Sequence, residues 1–162
     1  MSRKALLSAV FCATVAAVAA PLALGDLTTV RGGGAQLDVP EGWAKVERAA
    51  DTKVSDPRTL LVAGTKGARA VETDCQVASY RVPDDGAVVV VIGWRDSVLD
   101  SAKLELSKLR RGTFECFAGR GAVGQVARKG RDFQVSVMIG DDASPKTIRD
   151  ALSVGRSFAV VR

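Results

Sequence analysis

The chain has no histidine. This excludes Ser-His-Asp and Cys-His nucleophilic catalysis, histidine-ligated metal centres and the usual general base near neutral pH. Chemistry built on carboxylates, serine with lysine, or the single tyrosine, Tyr80, stays open. Aromatic residues make up only 5% of the 162 positions, so Trp43, Trp94 and Tyr80 are expected to fill a core before they line a pocket. Neither sign of charge dominates: Lys and Arg number 23 against 18 Asp and Glu, a formal +5. So mild an excess does not fit a dedicated nucleic-acid binder, and no nucleic acid is expected as a partner. Apolar residues, at 47%, suffice for a packed core.

One uncharged stretch stands apart. Met1-Ser2-Arg3-Lys4 is a short positive start, and Ala5 to Ala20 carries no charge. That run is shorter than the roughly 20 apolar residues of a membrane span and fits the core of a secretory signal peptide. Pro21 breaks a helix there, and Ala23-Leu24-Gly25 sets small residues three and one before a cut that leaves Asp26 first. Residues 1–25 are therefore read as a signal peptide. The competing reading is a retained anchor, because continuing to Leu24 makes the run just long enough to span, and membrane association is expected only in that case. Cys12 follows Phe11, where a lipid-modified cysteine would follow a small residue.

Export shapes the expectations for the rest. Losing Arg3 and Lys4 lowers the formal charge from +5 to +3, and residues 26–162 have the length of one ordinary domain. Two cysteines survive, Cys75 and Cys116. In an oxidising compartment an even count points to one disulfide, against the alternative of two buried thiols. Such a bridge closes a loop of about 42 residues and stabilises by roughly 4 kcal/mol in the chain-entropy account.

Residues 26–35, with Gly32-Gly33-Gly34, read as a flexible lead-in. Residues 36–162 read as a single domain. Gln36 to Pro40 and Trp43 to Glu47 alternate apolar and polar around Glu41-Gly42, which predicts an opening hairpin. Thr59 to Ala63 predicts a short buried strand, and Cys75 to Val82 alternates up to a turn at Pro83-Asp84-Asp85-Gly86. Val88-Val89-Val90-Val91-Ile92 is apolar on both faces, so the strand over 87–94 is expected at the centre with cover on both sides. Residues 96–102 suit a helix, with extended chain after them. Thr113 to Ala118, Ala122 to Arg128 and Arg131 to Ile139 predict a three-stranded meander with turns at Gly119-Arg120-Gly121 and Lys129-Gly130. Ser144-Pro145 starts a helix as N-cap and first residue, Gly155 caps its end, and Ser157 to Val161 closes as an edge strand. The fold class is α+β: a mostly antiparallel sheet of about six to eight strands, flanked by one to three helices.

Gly119-Arg120-Gly121-Ala122-Val123-Gly124 spells a dinucleotide fingerprint, but that site needs a helix after the glycines and the pattern here continues as a strand. No cofactor is expected. Asp84-Asp85 and Asp141-Asp142 are adjacent acids whose side chains diverge in extended chain, so turn and helix-entry roles are expected, with no metal site. Positive residues crowd the span from Lys103 to Arg131. Gathered by the meander, Arg111, Arg120, Arg128 and Lys129 would make a basic partner-binding face; the plainer reading is a solvated surface.

The run Leu37-Asp38-Val39-Pro40-Glu41-Gly42-Trp43 resembles the strand, Pro-x-Gly-Trp, strand opening of PsbP-like domains. Phe114-Glu115-Cys116-Phe117-Ala118-Gly119-Arg120-Gly121, with Gly130 to Val135, Gly140 and Ser157-Phe158-Ala159-Val160, resembles uncharacterised exported actinobacterial proteins. The resemblance covers most of residues 36–161 as scattered short motifs. It implies an antiparallel sheet with flanking helices, an envelope or secreted setting and an accessory or binding role, and it carries over no catalytic residue.

The resulting expectation is a secreted, periplasmic or envelope domain, not an enzyme, that binds an envelope protein or an anionic envelope polymer. A carrier of a small apolar ligand and a hydrolase using carboxylate or Ser–Lys chemistry are the alternatives. Mass spectrometry of the protein recovered from its native host is expected to find Asp26 as the first residue; an intact N-terminus would favour the anchor.

Overall fold

Strand β7, Ala87–Gly93, is buried along its whole length. It has no polar side to turn to water, so it can sit only inside a sheet that is covered twice. In the computed structural model, which describes residues 26–48, 54–72, 79–114 and 116–161, it does so. β7 lies between β4 (Arg58–Thr65) and β10 (Arg131–Ile139) in a six-stranded sheet of order β3-β4-β7-β10-β9-β8. The outer strands are β3 (Trp43–Lys45) on one side and β9 (Phe117–Arg128) then β8 (Arg110–Phe114) on the other. Every neighbouring pair is antiparallel.

The two faces have separate cores. On one, Val89 and Val91 meet Leu37, Leu61, Phe133, Val135 and Val137 beneath α1 (Pro145–Arg156) and a small sheet of order β1-β2-β11. That sheet comprises β1 (Thr28–Gly32), β2 (Ala35–Val39) and β11 (Ala159–Val160). On the other face, Val88, Val90 and Ile92 meet Val62, Tyr80, Phe114 and Met138, with the hairpin of β5 (Arg69–Val71) and β6 (Ser79–Arg81) contributing Ala70 and Tyr80. The molecule is α+β and mostly antiparallel, with one helix among the described residues.

Several sequence expectations are corrected. The 26–35 segment is not a flexible lead-in: it contains β1, joined to β2 through Gly33 and Gly34 at φ +59° and +81°, both in the left-handed region that a tight hairpin turn demands. The 36–47 stretch is therefore not a hairpin of its own. Its turn exists, with Trp43 N–H donating to Pro40 O at 3.2 Å, but β2 joins the small sheet and β3 pairs with β4. No helix forms at 96–102, because the Val98 and Leu99 N–H groups donate to the Asp132 carboxylate and not to helical carbonyls. The chain then lies along β9, bonded from Ser107 N–H to Val123 O at 2.8 Å and from Ala127 N–H to Ser101 O at 2.7 Å, with Leu104 and Leu106 turned to the core.

The meander's first turn is also displaced. It falls before Phe117, with Cys116 at φ +64°, and β9 runs straight through Gly119-Arg120-Gly121. The glycine fingerprint thus lies inside a strand, and close approach explains it: a Cβ on Gly121 would sit 2.6 Å from Val137 O, and one on Gly124 would sit 2.7 Å from Glu105 O. The helix starts as expected, with Ser144 Oγ accepting from Thr147 N–H at 3.1 Å. Gly155, however, lies inside the helix and does not cap it. A Cβ there would meet Val137 Cγ2 at 2.7 Å, so the glycine lets α1 settle onto β10.

Replacing Leu61 with Ala is expected to cost about 2–5 kcal/mol through the cavity left in the first core. Gly121→Ala should cost roughly 1–3 kcal/mol by overpacking against β10. Urea unfolding midpoints measure both, and an unchanged midpoint for either would contradict the packing described.

Candidate functional site

Cross-strand register sets three pairs of arginines directly opposite one another: Arg69 and Arg81 on β5–β6, Arg111 and Arg120 on β8–β9, and Arg128 and Arg131 on β9–β10. Like charges so placed destabilise a ladder, so where each guanidinium goes is informative. Arg111 reaches Asp141 at 2.9 Å in an exposed ion pair. Arg128 donates to the carbonyls of Ala102 and Ala127. Arg131 Nε donates to Trp94 O at 3.1 Å, and its guanidinium lies 5.4 Å above the Phe133 ring. Among the described residues the Arg120 side chain has no hydrogen-bond or ion-pair partner, and neither does the side chain of Arg69 or Arg81.

The four cations expected to form one basic face are not brought together. Arg111 and Arg120 face each other at one end of β9, while Arg128 and Lys129 sit at the other. Eight steps along the strand separate Arg120 from Arg128, about 26 Å. Lys129 occupies the β9–β10 turn at φ +52° with Gly130 at +71°, a backbone role that the sequence anticipates. The Arg69–Arg81 pair was not legible because Gly67 to Thr73 gives no clear strand pattern. Its one signal is an arginine next to an inward apolar residue on both sides of the connection, Arg69-Ala70 and Tyr80-Arg81.

An open groove of about 840 Å³ lies between Gly42–Arg48 and Gly64–Glu72. Cations and acids line it unequally: Lys45, Arg48, Lys66 and Arg69 against Glu47 and Glu72. Lys45 Nζ is bonded to Arg31 O at 2.8 Å and Arg48 to Thr59 O at 3.1 Å, which leaves Lys66 and Arg69 as its uncommitted cations. A smaller open hollow of about 280 Å³ lies by Trp94, Val98, Leu99 and Asp132.

Asp132 is the one buried carboxylate among the described residues, 4% exposed. Burial acts to raise its pKa. Donation by the Ser97 hydroxyl at 2.6 Å and by the Val98 and Leu99 N–H groups outweighs that and holds the carboxyl below its ordinary value. A carboxylate saturated by three donors is a clip for the 96–99 loop, not a general base. Both acid pairs lie in turns: Gly86 N–H donates to Pro83 O at 3.0 Å, and Asp142 N–H donates to Asp84 O at 2.8 Å. No group of three or more metal-ligating acids or cysteines occurs among the described residues.

Cys116 is disulfide-bonded. Cys75, the partner that the sequence offers, lies outside the described residues, as do residues 1–25. No helix among the described residues is long and apolar enough to cross a membrane. No protein-family model matches the chain, and no curated protein is significantly similar to it.

Because the folded pKa of Asp132 is depressed, its contribution to stability is complete above the unfolded carboxylate pKa near 3.8 and is lost as pH falls through the folded value. Melting temperatures from pH 7 down to pH 3 should therefore fall more steeply for the wild type than for Asp132→Asn, which lowers stability at pH 7. Parallel curves would show that the clip does not titrate as described.

Proposed function

We propose that the chain is an exported, non-catalytic accessory or binding domain of the cell envelope, built on a PsbP-like arrangement of one antiparallel sheet with layers on both faces. The observation that carries this reading is the disulfide at Cys116, a bond that persists in oxidising compartments and is rare in the cytosol. The N-terminal pattern of Arg3-Lys4, an uncharged run and Ala23-Leu24-Gly25 supports the same compartment. A binding role is supported by arginines that the fold leaves uncommitted at its surface. The apolar-carrier alternative has less support, since the two cores are built of buried apolar side chains and the hollows described above are open at the surface.

In this reading Cys75 is the partner of Cys116, tying the chain ahead of β6 to the β8–β9 turn. The native protein, fractionated without reductant, is expected in the envelope or secreted fraction with both thiols closed to alkylation. Reduction should lower its unfolding free energy by about 4 kcal/mol. Recovery in the cytoplasm with free thiols would overturn the proposal.

A further inference from the structure

We propose that the outward face of the β5–β6 hairpin, together with the adjoining groove, docks a linear phosphate-bearing polymer gripped by Arg69 and Arg81. This rests on the reading of the chain as an exported binding domain and names the chemistry of its partner.

The first argument is register. Arg69 and Arg81 are directly opposed, so their Cα atoms lie about 4.5–5.5 Å apart and their side chains leave the same face of the hairpin. The middle pair, Ala70 and Tyr80, turns inward to the second core, which sends the arginines outward. Both are exposed, and among the described residues no carboxylate answers either. The other opposed pairs contrast with this one: Arg128 and Arg131 spend their donors on backbone carbonyls, and Arg111 meets Asp141. Two uncompensated guanidiniums on a hairpin of two three-residue strands oppose folding, and an anion lying between them removes the opposition.

The second argument is shape and charge. Arg69 also lines the groove, where Lys66 is uncommitted and Lys45 and Arg48 outweigh Glu47 and Glu72, so the concavity beside the pair carries a surplus of positive charge. Such a concavity suits a chain of repeated anions. Guanidinium forks bind phosphate oxygens in bidentate fashion, and linked phosphates stay ionised at every physiological pH. A lipid surface fits less well, because peripheral membrane binding adds an apolar anchor to the charge. The large hydrophobics exposed among the described residues are Leu27 and Val98, and neither is on this hairpin.

The test measures binding of inorganic polyphosphate to the full chain at low and moderate salt, beside phosphatidylglycerol vesicles. The wild type should bind polyphosphate with an affinity that falls as salt rises, and should bind the vesicles less well. Arg69→Gln/Arg81→Gln should lose about tenfold or more, Arg69→Lys/Arg81→Lys should recover part of it, and Lys108→Gln/Arg149→Gln, with the same loss of charge elsewhere, should change affinity less than about threefold. Circular dichroism at the assay temperature establishes that each variant is folded, and the single variant Arg81→Gln serves if the double one is not. Equal losses in the two glutamine pairs would reduce the effect to net charge and overturn the proposal, as would preferential binding to vesicles or no binding to polyphosphate. A wild type that fails to bind polyphosphate yet fractionates with the envelope would overturn this partner alone; a cytoplasmic wild type would overturn the reading beneath it.

Discussion

A strand with no polar side is the constraint on which the rest depends. Every residue of β7 is buried, so the chain must supply a layer for each face, and the two layers are made from different parts of the sequence. The termini of the described domain, through β1, β2, α1 and β11, close one face. The hairpin β5–β6 closes part of the other. Burial of Val88 to Ile92 is worth roughly 1.5–3 kcal/mol for each side chain, an upper range that the entropy of ordering the covering layers largely offsets. Glycines mark close approaches: Gly155 within the helix against Val137, Gly121 against Val137 and Phe114, and Gly124 beneath the chain that lies along β9.

That division bears on function. The helix-side layer carries the larger core, whereas among the described residues the opposite face is covered in part by a short hairpin with two three-residue strands. Two three-residue strands have little apolar area with which to offset a repulsive pair, yet they are where two arginines stand opposed without an acid between them among the described residues. The arrangement makes sense when the hairpin's outer surface is completed by something anionic.

The sequence made the centre of the sheet legible, because a run of five β-branched residues has no other way to be buried. It also made the helix start legible, since Ser144-Pro145 is a local signal with a local cause. What it hid were choices settled by distant partners. The 96–102 pattern suits a helix until Asp132, some 33 residues on, takes its N–H groups. The lead-in becomes a strand only because β2 pairs with it, with β11 on the far side of β2. Counting cations from Lys103 to Arg131 suggested one face, but a twelve-residue strand carries Arg120 and Arg128 to opposite ends. The candidate pair Arg69–Arg81 depends on register, which a single sequence pattern did not supply.

The central claim is that the Arg69–Arg81 pair opposes folding and is retained for something other than stability. A double-mutant cycle of Arg69→Gln and Arg81→Gln, read by chemical unfolding at low salt without polyanion, tests it most directly. Each single substitution should raise stability, the second should add less than the first, and the coupling should be repulsive by roughly 0.2–1 kcal/mol and fade with salt. Single substitutions that each lower stability, or a coupling of the attractive sign, would contradict the account.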